Sequence, residues 1–411
     1  MKSLGPIPNG FGLIDGELAI AGVKASDHVR AAGDTPLFLY DFGLVRARVA
    51  RFRAAMPADV HLHYAVKANP FPGLVRALAR LVDGLDAASL GECRLIAASG
   101  GDPARASFAG PAKRDDELAG AIAMGVAINL ESESEADRAL AAADRLSVRP
   151  RLAVRVNPPF EIKGSGMRMG GGAKPFGVDA ERAGALARRV IAAGAEWRGW
   201  HVFAGSQALA AGAVADAQAA AVALAGELSD EAGAAPPLVN LGGGFGIPYS
   251  ANDRPLDVEA IGARLGEALA ARASGLADSR FALELGRWLV GEAGVYLTRI
   301  VDRKESRGKL FLACDGGLHH QLAATGNLGQ VVRRNYPVAI ATRMGSPAEE
   351  VASIVGPLCT PLDRLADEVA VPAAHPGDLV AVFLAGAYGL TASPQAFLSQ
   401  RPAIERLLVP D

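Results

Sequence analysis

Residues 61–70 read HLHYAVKANP, an apolar-alternating run that stops on a single lysine, Lys67, just before an Asn-Pro turn signal. Lysine is rarely buried unless it is paired or reacting. By themselves these ten residues read first as a strand leading to a solvent-facing lysine in an ordinary loop. The surrounding chain separates the two readings. Short apolar runs alternate with longer helical patterns from about residue 61 to residue 285, and strands are predicted at 61–66, 85–88, 106–108, 127–130, 151–156, 197–203, 237–241 and 281–285. The third and fourth are weakly marked. Between most of them lie ten or more residues of helical character, such as FPGLVRALARL (71–81) and VDAERAGALARRVIAAG (178–194), and ESESEADRAL (131–140) offers Ser132 with Glu135 as a capping box. Alternation of this kind implies a parallel sheet with helices outside, and eight units fit a closed barrel better than an open sheet.

After residue 290 the rhythm changes. VYLTRIVDRK (295–304), KLFLACDGG (309–317), YPVAIATRM (336–344), EEVASIVGP (349–357) and DLVAVFLAG (378–386) are strand-like, with turn-rich links and no long helical pattern between them. This predicts a mostly antiparallel domain, and strand-like pieces in 12–40, including PLFLYD, are expected to join its sheet. The expected organisation is therefore N-terminal strands in 1–44, a (β/α)8 TIM-like barrel over 45–290 and a mostly β C-terminal domain over 291–411.

Bulk properties narrow the function. A chain of 411 residues is long for one core, in keeping with a large domain plus a smaller one. The formal net charge of −2 gives no electrostatic case for nucleic-acid binding. Three widely spaced cysteines, Cys93, Cys314 and Cys359, argue against a disulfide scaffold and against a structural metal site. No signal peptide is read at the N-terminus. The most apolar helical segment, near 208–228, carries Asp216 and Glu227 and is too polar to span a membrane. A cytoplasmic location is the default expectation.

In a barrel the carboxyl ends of the strands carry the chemistry. Lys67 follows the first strand. His201, Phe203 and Ser206 cluster at the end of the sixth, LGGGFGIPY (241–249) follows the seventh, and Glu284 lies near the end of the eighth with Arg287 just beyond. The run Gly242, Gly243, Gly244 and Gly246 permits close backbone approach, and a nest of N–H groups there could hold a phosphate; a tight turn explains it equally well. Arg287 is a bidentate donor suited to phosphate, or a structural ion-pair partner. Glu284, in FALELGRW, is a carboxylate in an apolar strand and needs a partner. A lysine that can bond an aldehyde, a phosphate nest and a buried carboxylate for a ring nitrogen together describe a pyridoxal 5'-phosphate site. A nucleotide site would use the glycines and leave Lys67 and Glu284 unexplained.

These residues carry a family resemblance. The chain resembles the fold type III pyridoxal-phosphate decarboxylases, the group of diaminopimelate, ornithine and arginine decarboxylases. The matching stretches are HYAVKANP, GLDAASLGE, NLESESE, RVNP, AGSQ, GGGFGIPY, ELGR, GPLCTPLD and GAYGLTAS, in order from residue 63 to residue 393. The resemblance implies that Lys67 is the Schiff-base lysine and that Glu284 contacts the pyridine nitrogen. It implies that Gly243, Gly244, Ser206 and Arg287 hold the phosphate, and that Asp86, Arg155, Phe203, Gly286 and Tyr388 also line the cofactor. It makes Cys359 a catalytic cysteine supplied from the partner subunit of a homodimer with shared sites, the proton donor to the quinonoid carbon after carbon dioxide leaves. Read without the resemblance, Cys359 is a buried structural thiol.

The departures concern the substrate. Phe203 stands where the family has a histidine stacked on the cofactor, and a phenyl ring can stack but cannot donate a hydrogen bond or carry charge. Leu285 stands where proline is commoner. Thr360 replaces the acidic residue that commonly follows the catalytic cysteine and recognises a distal amine. The arginine-proline pair after the DGG turn is absent, with DGGLHHQLAA in its place. Asp363 and Tyr388 remain as substrate-binding candidates, Asp363 being also readable as a turn or salt-bridge residue.

The expected function is decarboxylation of a small amino acid or diamino acid of the diaminopimelate, ornithine or lysine kind, without a metal. The alternatives are decarboxylation of an aminoacyl group tethered to an acyl carrier protein, and racemisation. Cys359 and Tyr388 favour decarboxylation over racemisation. A closer likeness, carried by VDRKESRG (301–308), DGGLHHQLAATGN (315–327) and RRNYPVAI (333–340), is to a subgroup found with exosortase and exopolysaccharide gene sets. An adenylating ligase and an acyl carrier protein are typical neighbours there.

Overall fold

The computed structural model describes residues 2–326 and 334–409; Asn327 and Arg333, which belong to two of the stretches just quoted, lie outside the described residues. The chain divides into two compact units. One comprises residues 49–247 and 255–286, the other residues 1–48, 248–254 and 287–411. The division differs from the expected bounds at residues 45–48, 248–254 and 287–290.

The first unit is a closed parallel barrel of eight strands. They are β1 (Val60–Ala65), β2 (Gly84–Ala87), β3 (Ala106–Phe108), β4 (Ala127–Leu130), β5 (Arg151–Asn157), β6 (Glu196–Val202), β7 (Leu238–Gly243) and β8 (Arg280–Leu285). Each pairs in parallel with the next, β8 pairs with β1, and the ring is complete. Helices cover the outside: α1 (Pro72–Leu78), α2 (Leu90–Ala98), α3 (Asp115–Ala123), α4 (Glu133–Leu146), α5 (Ala180–Ala192), α6 (Ala211–Ala232) and α7 (Val258–Ala270). Their starts obey local chemistry. The side chains of Ser89, Ser132 and Asp257 accept from the N3 backbone N–H of α2, α4 and α7, which satisfies donors that the helix itself leaves bare.

The Ser132 cap is half of the expected box. Glu135 does not return to the Ser132 backbone. It turns inward to Lys113, at 2.7 Å. A buried ammonium needs a carboxylate more than an exposed N–H does.

Barrel bores are usually filled by branched apolar side chains. This one is polar and partly hollow. His63, Asp86, Ser107, Asn129 and Asn240 form its middle, small residues such as Ala106, Ala127 and Ala153 leave space, and a cavity of about 420 Å³ results. A hydrogen-bond chain runs across it, from Asn129 Nδ2 to Ser107 Oγ and from Ser107 Oγ to Asp86.

The second unit is built around the 13-residue strand Gly294–Ser306. Its first half pairs antiparallel with both Leu37–Asp41 and Leu379–Phe383, and its second half with Lys309–Cys314. Two pairings in this sheet are parallel, Lys309–Cys314 with Glu350–Val355 and Leu37–Asp41 with Ile404–Leu408. Of the early strand-like pieces only Leu37–Asp41 joins the sheet. Gly12–Ile14, Glu17–Ile20 and Val23–Lys24 close on themselves as a separate three-stranded antiparallel sheet, because tight turns at Asp15–Gly16 and Ala21–Gly22, all at positive φ, fold them back locally. Among the described residues no helix is long and apolar enough to cross a membrane.

Candidate active site

Strand β1 ends at Ala65, and the chain makes one tight helical turn, Val66–Ala68, that carries Lys67. β8 runs beside β1, with Glu284 level with His63. The result is an ion pair, Lys67 Nζ to Glu284 Oε1 at 3.0 Å, with 42% of the lysine side chain exposed and only 5% of the glutamate side chain. Lys67 is thus partly solvent-facing, with its ammonium paired to a buried carboxylate. On β6, His201 places Nε2 3.2 Å from the other glutamate oxygen, Oε2. Burial alone would raise the Glu284 carboxyl. The charge of Lys67, then the hydrogen bond from His201, outweigh it and hold the group well below the usual carboxylate range. Phe203 lies with its ring centroid 5.1 Å from Lys67 Nζ.

The glycine turn closes the same rim. Gly244 has φ +81°, and a Cβ there would lie 2.4 Å from the Gly205 carbonyl oxygen; a Cβ on Gly243 would lie 1.9 Å from that of Glu284. Only glycine fits either place. Ser206 and Gly205 pair with Met167 and Arg168 in a two-stranded ribbon, so a loop from the end of β5 lies on the turn. Gly286 abuts Ala68 and Ala65 of the lysine turn.

Two other expected cofactor residues are already engaged within the barrel. Asp86 accepts from Ser107 Oγ at 2.5 Å and faces His63 Nδ1 at 3.3 Å. Arg155 Nη1 donates to Glu131 Oε1 at 2.8 Å, and Glu131 also accepts from the backbone N–H of Gly110 and Gly177.

The remaining candidates belong to the second unit. Arg287 Nη1 donates to the Tyr249 hydroxyl at 2.7 Å, and its guanidinium lies 4.6 Å from the ring centroid of Tyr388. Its Nε is buried and has no hydrogen-bond partner among the described residues. Tyr388 has φ +52°, a left-handed conformation unusual for a bulky residue. Cys359 is exposed, which corrects the buried-thiol reading: its turn projects it outward. Thr360 Oγ1 accepts from Leu362 N. Asp363 is buried, and its Oδ1 accepts from Leu318 N at 2.6 Å and its Oδ2 from Leu358 N at 2.8 Å. Its carboxylate ties two loops together, which fits the turn role read beside its role as an amine ligand.

The sequence signalled Glu284 as an odd polar residue in a strand. It held no signal that His201 would be its partner. No group of three or more His, Cys, Asp or Glu residues that could hold a metal ion occurs among the described residues.

Comparison with known proteins bears on this site. The family profile for pyridoxal-dependent decarboxylases, pyridoxal binding domain, matches residues 42–291. The chain is 33% identical over 380 residues to an L-glutamyl-(BtrI acyl-carrier protein) decarboxylase of Niallia circulans, covering 91% of this chain and 89% of that one. It is 32% identical over 407 residues to a diaminopimelate decarboxylase of Aquifex aeolicus, covering 96% and 91%. Among solved structures, AQ1208 from Aquifex aeolicus superposes with a TM-score of 0.83 at 29% identity, covering 97% of this chain and 92% of that one. Diaminopimelate decarboxylase from M. jannaschii gives 0.86 at 24% identity, covering 98% and 92%, a likeness of fold.

Proposed function

Because the chain belongs to the pyridoxal-dependent decarboxylases, and is a pyridoxal-phosphate-dependent carboxy-lyase of an amino acid, we propose that its substrate carries its far end masked as an acyl-carrier thioester. The observation that carries this is the commitment of Asp363. Thr360 has no charge, and the nearby acid, only 3% exposed, is turned inward with each carboxylate oxygen hydrogen-bonded to a backbone N–H. A distal ammonium would be left without an ion-pair partner in this loop, and burying it unpaired costs several kcal/mol. A thioester needs no such partner. The relative that acts on an L-glutamyl carrier protein, alike over nearly the whole chain, supports the same reading.

The residues present fit the cofactor. Glu284 is a buried carboxylate held ionised, suited to a protonated ring nitrogen, and the turn at Gly243 and Gly244 admits no side chain where a phosphate would approach the backbone. Bound pyridoxal phosphate supplies the electron sink that carboxylate loss requires. Lys67 Nζ is the amine that would bond its aldehyde, and the Phe203 ring beside it offers a face for stacking. Glu284 would hold the proton on the ring nitrogen. Gly243, Gly244, Ser206 and Arg287 would bind the phosphate, with Asp86, Arg155, Gly286 and Tyr388 around the cofactor. Cys359, in the exposed turn, would act in the site of a partner subunit, holding the proton that replaces the lost carboxylate. The partners in this reading are a second copy of the chain and an acyl carrier protein.

The test is carbon dioxide release by the purified holoenzyme from free meso-diaminopimelate, L-ornithine, L-lysine and an L-glutamyl carrier thioester. The thioester should lead by at least ~10²-fold in kcat/KM. A value for free meso-diaminopimelate in the ordinary enzyme range of roughly 10⁴–10⁶ M⁻¹s⁻¹ would overturn the proposal.

A further inference from the structure

Glu284 has two oxygens with different neighbours. Oε1 faces Lys67 Nζ, the atom that would leave this contact to bond the cofactor, and Oε2 faces His201 Nε2. We infer that His201 is the positioning residue that pins Glu284 through Oε2, so that Oε1 stays presented whether or not Lys67 is engaged. The inference rests on the reading of Glu284 given above.

The surroundings make His201 a standing partner. It lies on β6 between Arg155 of β5 and Asn240 of β7 in register. Arg155 is turned to Glu131, and Asn240 Oδ1 accepts from Gly242 N, so each neighbour has its own work. His201 is buried, and its Nδ1 has no hydrogen-bond partner among the described residues. A charged ring would bury a second N–H without an acceptor, which is costly. The neutral tautomer that donates from Nε2 fits instead. What His201 supplies is then a fixed N–H aimed at one carboxylate oxygen. The other ionisable groups that act on Glu284 or its neighbours are His63 of β1, whose charge is balanced by Asp86, and Glu92 of α2, which accepts from Ala88 N. Neither has a hydrogen bond to Glu284, and both remain when His201 is replaced.

This separates His201 from a merely packed histidine. His201→Gln keeps an N–H donor, and His201→Leu removes it. In the holoenzyme His201→Leu should lower kcat by about 10- to 100-fold with KM changed less than about twofold, since a contact that matters chiefly in the transition state is lost. It should also move the pH at which the bound cofactor changes its absorption spectrum, and His201→Gln should restore most of both properties. In a Glu284→Gln background His201→Leu should cost less than about twofold more, because its partner is already gone. Equal damage from both His201 variants, or equal damage in both backgrounds, would overturn the inference in favour of packing alone. Full turnover by Glu284→Gln by itself would instead overturn the reading of Glu284, and the inference with it. Cofactor affinity, titrated by absorbance with each apoenzyme, should change little for the His201 variants. A loss of affinity matching the loss of rate would also count against positioning.

Discussion

Lys67 and Glu284 are 217 residues apart in sequence and 3.0 Å apart at Nζ and Oε1. The barrel makes the meeting unavoidable, because β8 closes the ring against β1. The pair is lopsided, with a well-exposed ammonium on a buried carboxylate. Partly exposed pairs contribute little to stability, and buried carboxylates are costly to keep. The arrangement makes sense as a reactive amine held beside its counter-charge.

Borohydride reduction of the holoenzyme should therefore fix the cofactor to Lys67. Peptide mass analysis should find the added mass on the peptide spanning HYAVKANP, and Lys67→Ala should abolish both the label and the cofactor's lysine-bound absorption band. Labelling of Lys113 or any other lysine in place of Lys67 would refute the assignment.

Lys113 and Glu135 form a different kind of pair. Their side chains are 1% and 2% exposed and meet at 2.7 Å. Lys113 also donates to the carbonyls of Gly110 and Asn129. Burial pushes the lysine down and the glutamate up, so each group depends on the other to stay charged. Lys113→Met should destabilise the barrel by about 3–5 kcal/mol, as removal of one member of a buried pair does. Lys113→Met with Glu135→Leu should recover most of that loss. Urea unfolding with an unchanged m value would report both. A single variant as stable as the parent would show that the pair carries no such dependence.

Much of the barrel is legible in the sequence. Its strands fall within a residue or two of the runs predicted from apolar patterning, and even β3 and β4, three and four residues long, form because each has a partner on both sides. What stayed hidden was long-range competition. The Ser132–Glu135 spacing reads as a reciprocal cap, yet Lys113, more than twenty residues earlier, claims the glutamate. HLHYA reads as an apolar strand, and because one face of a barrel strand looks into the bore, His63 ends buried beside Asp86. Asp363 was an acid near a suspected site until Leu318 N, 45 residues away, took one of its oxygens. Cys359 illustrates the reverse error: thiols are usually buried, and the turn that exposes it has no strong pattern in sequence.

His63 and Asp86 give the enzyme a pH signature. Burial would lower the imidazole, but the charge of Asp86 and its hydrogen bond at 3.3 Å outweigh that and raise it above its ordinary value. A group raised on folding contributes stability that is fully present below its unfolded value of about 6.5 and is lost as pH rises through the folded value. Asp86→Asn removes the cause. The extra stability of the parent over Asp86→Asn, measured by urea unfolding, should be largest near about pH 6 and should shrink toward alkaline pH. Asp86 also accepts from Ser107, so a constant offset at all pH is expected. A difference that grows with pH would reverse the sign and rule out the pair as its source.

Cys359 raises the question of how one site is assembled. A thiol that hands over a proton during the reaction should be shielded from water when it does so, yet Cys359 is exposed in the single chain. Both facts hold if a second copy of the chain covers it and receives it into its own site. Lys67→Ala and Cys359→Ala should each be inactive, for lack of the amine and of the proton donor. Mixed in equal amounts under conditions that let subunits exchange, half the dimers should contain one chain of each kind. Each such dimer would have one site with both defects and one with neither, so recovered activity should approach roughly a quarter of the parent's. Exchange is checked independently by co-purification of differently tagged chains. Mixtures that exchange fully and remain inactive would mean that each chain supplies its own Cys359. Recovery near a quarter would fix the thiol as the partner's contribution.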